Sequence, residues 1–145
     1  MAGDEMNVGL LMFIAHRSME QRTFDALVAA GHGDITIAQG RLAAQIDPDG
    51  TRLTELAERA QVTKQTAGFL VDQLERAGYV ERVPDPTDGR ARLVRLSERG
   101  RAMAEFANGV SARIEREWAA HLGERRMGQL RETLSRLREI SDPYA

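Results

Sequence analysis

The stretch Leu53–Gly100, LTELAERAQVTKQTAGFLVDQLERAGYVERVPDPTDGRARLVRLSERG, decides the fold. Thr54 can cap a short helix over Glu55–Ala60, and Thr63 a longer one over Lys64–Ala77, which Gly78 ends in a left-handed turn. The pattern then changes to alternation. Tyr79–Pro84 and Ala91–Leu96 read as strands around DPTDG, a tip rich in turn formers. Thr51–Leu53 can add one short strand to that hairpin.

Two helices around a tight turn, followed by a basic hairpin, is the order of a winged helix-turn-helix. That shape lays its second helix in the major groove of DNA with the hairpin beside it. The longer helix has an apolar face of Ala67, Leu70, Val71, Leu74 and Ala77. Gln65, Gly68, Phe69, Asp72 and Gln73 lie opposite, with Lys64 and Thr66 at its start. The N-terminal part of that outward face is expected to read DNA. Gln65 matches the N6/N7 edge of adenine, and Lys64 suits a phosphate or a guanine. Thr63 and Thr66 suit phosphates at the positive helix start.

Phe69 is out of place on a polar face. It suits thymine methyls, or folding back onto the wing or a dimer partner. Gly68 costs about 1 kcal/mol relative to alanine within a helix; close approach to a DNA backbone would account for it, as would a tolerant position. Asp72 lies too far along to face bases and is expected to pair with a nearby arginine. In the wing, Arg90 is placed to enter an adjacent minor groove, with Arg92 as a second contact. Asp88 would be repelled by phosphate. Its expected role is to fix the tip, by hydrogen bonds or an ion pair with Arg90 or Arg92.

Charge is distributed to match. The formal net charge of the 145 residues is −2, but residues 51–101 hold ten Lys/Arg against eight Asp/Glu, a net of +2. The remainder carries −4. Six arginines fall between Arg82 and Arg101, against Asp85, Asp88 and Glu98. Local excess of this kind attracts phosphate, although a charged hairpin can also serve solubility alone.

The flanks read as helices. Leu10, Phe13, Ile14, Phe24, Leu27 and Val28 keep helical spacing over Val8–Ala30, ended by Gly31 and Gly33. Thr36 can cap a helix ending near Ile46, stopped by Asp47-Pro48-Asp49-Gly50. Ser97 caps a long fifth helix striped by Met103, Phe106, Val110, Ile114 and Trp118. At roughly 26 residues it would be ~39 Å long. Gly123 breaks it, and Met127, Leu130, Leu134, Leu137 and Ile140 mark a sixth. The expected fold class is mainly α with a small β-wing (α+β), a six-helix winged helix-turn-helix. The expected organisation is one domain over 1–145, with a winged lobe at 35–100 and dimerisation helices at 7–31 and 97–142. Apolar stripes at both ends favour a homodimer over a compact monomeric bundle.

Composition narrows the function. Hydrophobic content of 42% and charged content of 29% are ordinary for a soluble globular protein. No apolar run approaches the ~20 residues that span a bilayer, so no membrane association and a cytoplasmic location are expected. With no cysteine there is no disulfide, thiolate catalysis or thiol-based sensing. His16, His32 and His121 lack metal-ligand spacing, and no Gly-rich phosphate loop or nucleophile elbow occurs. No enzyme, no metal and no cofactor are expected.

LTELAERA, then TKQT and LVDQLERAGYVER, then the wing signature Asp88-x-Arg90 followed by Leu96-Ser97, resemble the MarR family of dimeric bacterial transcription regulators. The resemblance implies a triangular homodimer on a short palindrome of double-stranded DNA, with binding governed by a small-molecule effector, most simply as a repressor. It supports Lys64, Gln65 and Thr66 on bases and phosphates and Arg90 in the minor groove. It places an effector pocket where the dimer helices meet the DNA-binding lobe, with Phe13, His16, Arg17, Arg41 and Trp118 as candidate lining. The chain departs from many relatives at Gln61, where they have glycine, and at Phe69 and Gln73, where they have arginines. Those departures shift the expected affinity toward the wing. The rival reading is a winged helix used only for protein contacts, since fold alone does not dictate function.

Overall fold

A computed structural model describes residues 5–144; residues 1–4 and 145 of the expected domain lie outside the described residues. The elements run α1 (Val8–Ala29), α2 (Ile37–Ala43), α3 (Leu53–Ala60), α4 (Lys64–Arg76), β1 (Val80–Asp85), β2 (Asp88–Leu96), α5 (Glu98–Leu122) and α6 (Glu124–Ser141). This is the six-helix α+β winged helix expected from the sequence. Contacts divide the chain into two compact units, one ending at Asn108 and the next beginning at Gly109, so the division falls within α5.

Short polar side chains set most helix starts. Asn7 Oδ1 accepts from Leu10 N at 2.8 Å. Thr36 and Gln39 form a reciprocal capping box, and Thr63 Oγ1 accepts from Thr66 N. Ser97 Oγ accepts from Gly100 N at 3.1 Å, as its capping role requires. Helix α3 differs from expectation. It begins at Leu53, with Arg52 at the N-cap position and no side-chain cap, so Thr54 lies inside the first turn. Leu53 packs against the core, which draws the helix start forward, while the Arg52 side chain turns to the wing.

Helix α2 also stops earlier than expected. Gln45 N and Ile46 N bond back three residues, to Leu42 O and Ala43 O, a tightened last turn that seats Ile46 in the core. The anticipated strand at Thr51–Leu53 is reduced to one bridge, in which Thr51 exchanges backbone bonds of 2.9 and 2.8 Å with Val94. The early start of α3 leaves no chain to extend it.

Strands β1 and β2 are antiparallel, from Val80↔Leu96 to Pro84↔Arg92, with a register shift at Pro84/Asp85. They run closer to the tip than expected, leaving Pro86 and Thr87 as the connection. The core of the first unit gathers Leu27, Ile35, Leu42, Leu56, Ala67, Leu70, Val71, Leu74, Tyr79, Val94 and Met103. All of α4's apolar face except half-exposed Ala77 is therefore inside, which fixes the outward face. In the second unit Val110 and Ile114 of α5 are buried. Arg131 of α6 donates to Glu115 of α5 at 2.5 Å.

Candidate nucleic-acid interface

The turn between α3 and α4 depends on Gln61, which adopts a left-handed conformation (φ 56°, ψ 44°). Among the described residues it is the only non-glycine with positive φ. Its side chain compensates locally, with Nε2 donating to Glu58 O at 2.7 Å. The turn delivers Thr63 to the start of α4. There Thr63 Oγ1 accepts from Thr66 N and donates to Thr66 Oγ1 at 3.0 Å. Its one hydroxyl proton is thereby engaged, and the Thr66 proton remains to meet a phosphate. Lys64 and Gln65 are exposed beside it, with no side-chain partner among the described residues.

Further along α4 the outward face is organised rather than bare. Arg82 of β1 donates from Nη2 to Asp72 Oδ1 at 2.7 Å and from Nη1 to Glu75 Oε1 at 2.8 Å. Asp72 thus finds an arginine, and the recognition helix is fastened to the wing strand. Gln73 departs from the outward placement expected of it. It is half-buried, and its Oε1 accepts from Gln39 Nε2 at 3.0 Å. Gln39 is the buried partner of the α2 capping box, so Gln73 faces α2 and completes that network. Phe69 is 61% exposed and is not folded onto the wing. Gln65, Thr66, Gly68, Phe69 and Asp72 line a shallow open depression.

The wing tip is held by a carboxylate the sequence reading did not single out. Asp85 Oδ1 accepts from the backbone N and the hydroxyl of Thr87 at 2.9 and 2.8 Å. Asp85 Oδ2 accepts from Arg52 Nε and Nη2. Asp85 is buried. The two Thr87 bonds, then Arg52, hold its carboxyl down at about 2. Asp88 does contribute to the tip, through Oδ1, which accepts from Arg90 N at 3.1 Å. Its ion-pair partner, however, is Arg52 at 3.9 Å rather than Arg90 or Arg92. The signal for Asp85 was present in Asp85-Pro86-Thr87, because an aspartate commonly accepts from the backbone two residues on.

The six wing arginines sort into two groups. Arg82 serves Asp72 and Glu75, and Arg95 donates to Glu81 at 2.7 Å. Arg99 pairs with Asp34 at 3.2 Å, lies 4.1 Å over the Tyr79 ring and bonds Ala77 O. Arg101 donates to Leu96 O at 3.0 Å. Arg90 and Arg92 are exposed at the tip, and their guanidinium groups have no partner among the described residues.

Of the effector candidates, Phe13, His16, Arg17 and Arg41 belong to the first unit. Arg17 lies 5.6 Å from the centre of the Phe13 ring. Arg41 forms a fork on Glu20 at 2.7 and 2.6 Å, and His16 Nε2 stands 3.5 Å from the same carboxylate. The Arg41 bonds hold the Glu20 carboxyl below its ordinary value. Trp118 is half-exposed on α5 in the second unit.

A helix-turn-helix with a basic, internally braced hairpin defines a winged helix-turn-helix protein. Residues 33–91, which hold the helix-turn-helix and most of the wing, match the family model described as MarR family. Over 103 residues the chain is 30% identical to the transcriptional activatory protein BadR of Rhodopseudomonas palustris, covering 71% of this chain and 58% of that protein. It thus spans little more than half the length of that relative. The fold is similar to apo MarR from E. coli, with a TM-score of 0.73 at 23% identity, covering 92% of this chain and 98% of that one. It is also similar to a MarR family protein of Mycobacterium tuberculosis in complex with salicylic acid, with a TM-score of 0.68 at 26% identity over 93% and 98%. Among the described residues, no helix is long and apolar enough to cross a membrane.

Proposed function

We propose that the chain is a DNA-binding transcriptional regulator that binds a palindromic operator as a homodimer. Each copy sets the start of α4 in the major groove and the β1–β2 tip at the adjacent minor groove. The observation that carries this reading is the division of the polar groups. Arg82, Arg95, Arg99 and Arg101 are engaged within the protein. Lys64, Gln65, Arg90 and Arg92 are left free on the first unit, and the Thr66 hydroxyl proton with them. Phosphate contacts of this kind position a protein, and base-edge contacts specify the site.

The dimer reading is supported by apolar surface too extensive for an isolated helix. Leu10, Leu11, Met12, Phe13 and Ile14 of α1 are exposed, as are Leu130, Leu134, Leu137 and Ile140 of α6. The proposed organisation is a 35–100 lobe carried by dimerisation helices at 7–31 and 97–142. Control by a small ligand is supported by the salicylic acid complex of the mycobacterial relative. Such a ligand would act by favouring one separation of the two recognition helices. Repression follows where the operator overlaps a promoter. BadR is named as an activator, and operator position can set either sign.

Footprinting the intergenic DNA beside the gene with the full chain tests the proposal. It should protect two half-sites about one helical turn apart, 10–10.5 bp centre to centre, or a multiple of it. Absence of protection on any flanking DNA would favour a winged helix used for protein contacts.

A further inference from the structure

The geometry points to a recognition helix that reads an adenine with Gln65 and, about two base pairs away, the methyl group of a thymine with Phe69. This inference rests on the proposed DNA-binding function and assigns its base specificity. Gln65 and Phe69 are four residues apart on α4 and line the same shallow depression. Side chains at that spacing stand about 5–6 Å apart. Successive base pairs rise about 3.4 Å, so the two side chains address positions nearly two steps apart. Gln65 has an exposed amide with both a donor and an acceptor, the pair that matches adenine N6 and N7.

Phe69 is 61% exposed and is not among the partly buried hydrophobics packed against the core. An exposed phenyl group on a reading face offers neither donor nor acceptor. The one major-groove feature it can recognise is the thymine C5-methyl. Its surroundings favour that assignment. Arg82 pairs with Asp72, at the far side of the depression, which offsets a charge that would otherwise repel DNA. Gly68 removes side-chain bulk beside the ring. It is not there to avoid a clash within the protein, since a Cβ at that position would meet only Leu53 Cδ2, at 3.7 Å.

The test uses the full chain and a random-core DNA duplex library. The enriched duplex is remade with each thymine replaced in turn by deoxyuridine, which removes only the methyl group. One thymine in each half-site, within about two base pairs of an adenine, should lose roughly fourfold in affinity when replaced, the factor equivalent to ~0.8 kcal/mol for a buried methyl. Phe69→Ala, which alters an exposed side chain, should bind the thymine and uracil duplexes equally and keep the wild-type salt dependence. Uracil tolerance at every position in the wild type would overturn the inference, as would a Phe69→Ala protein that still discriminates. A Phe69→Ala change in self-association with DNA affinity unaltered would assign the ring to a protein interface instead. Failure to enrich any duplex would overturn the DNA-binding function itself, whereas enrichment with uracil tolerance overturns this inference alone.

Discussion

Arg52 and Asp85 join the entry of the helix-turn-helix to the tip of the wing: Nε and Nη2 of Arg52 donate to one oxygen, Asp85 Oδ2, at 2.9 and 2.7 Å. The other oxygen is occupied by Thr87. The recognition helix is braced to the same hairpin from the other side by Arg82. Arg52 and Arg82 thus tie the helix-turn-helix to the wing at two points, while Arg90 and Arg92 stay exposed at the tip and Lys64 at the start of α4.

Asp85 makes the fold sensitive to acid. Its carboxyl sits at about 2 in the folded protein against an ordinary 3.8, so its contribution is fully present above about pH 4 and fades as pH falls toward 2. Asp85→Asn should flatten the loss of stability over that window. Urea midpoints between pH 5 and 2 measure it, and parallel curves for the two proteins would remove Asp85 as the cause.

Tyr79 should act at the alkaline end. Its buried hydroxyl donates to Asp34 at 2.6 Å and accepts from His32 Nδ1 at 2.8 Å. Burial first, then the Asp34 bond, push it up to about 12 from 10. A raised acid favours the fold below pH 10 and withdraws that support as pH rises to 12. Tyr79→Phe should cost about 1–3 kcal/mol near neutrality and weaken the decline above pH 10, as read from chemical denaturation across pH 8–12.

Two glycines should respond to alanine with opposite sign. A Cβ at Gly100 would lie 2.0 Å from the Tyr79 carbonyl oxygen, where backbone must move. Gly100→Ala should destabilise by roughly 3 kcal/mol or more. Gly68→Ala meets only ordinary contact and should stabilise by about 1 kcal/mol. If α4 lies close against DNA, that same change weakens operator binding. Denaturation and DNA titration of the two variants separate these effects.

Gln61→Gly should raise stability by about 1 kcal/mol, because glycine adopts the left-handed turn without the steric cost of a side chain. The gain is offset in part by loss of the bond to Glu58 O. A lowered denaturation midpoint would show that this bond outweighs the backbone term.

Arg90→Ala should weaken operator binding by roughly 1–3 kcal/mol if Arg90 reads a groove. Arg92→Ala should act more uniformly across sequences, as a phosphate contact does. Unchanged affinity in either variant removes that residue from the interface.

Most of this arrangement was legible in the sequence because the deciding signals are local. Thr63, Gly78 and Ser97 mark element ends by their own chemistry, and alternation around DPTDG marks the hairpin. The face of α4 followed from helical spacing except at Gln73, whose inward turn depends on Gln39, 34 residues earlier. Thr54 looked like a cap, but the packing of Leu53 set the start of α3. Arg52 and Arg82 were not legible as braces, because their partners are brought near only by tertiary folding. The meeting of His16 and Arg41 on Glu20 was not legible for the same reason. Glu20 occupies Arg41, a pairing that no spacing rule within one helix can foresee.

The salt dependence of DNA affinity tests the central claim most directly. With Lys64, Arg90 and Arg92 contributed by each of two copies, about six phosphates are neutralised, and log Kobs against log salt should fall with a slope near −5. The double variant Arg90→Ala/Arg92→Ala should reduce that slope to about −2. A slope near zero on the footprinted duplex, or one unchanged in the double variant, would contradict the account.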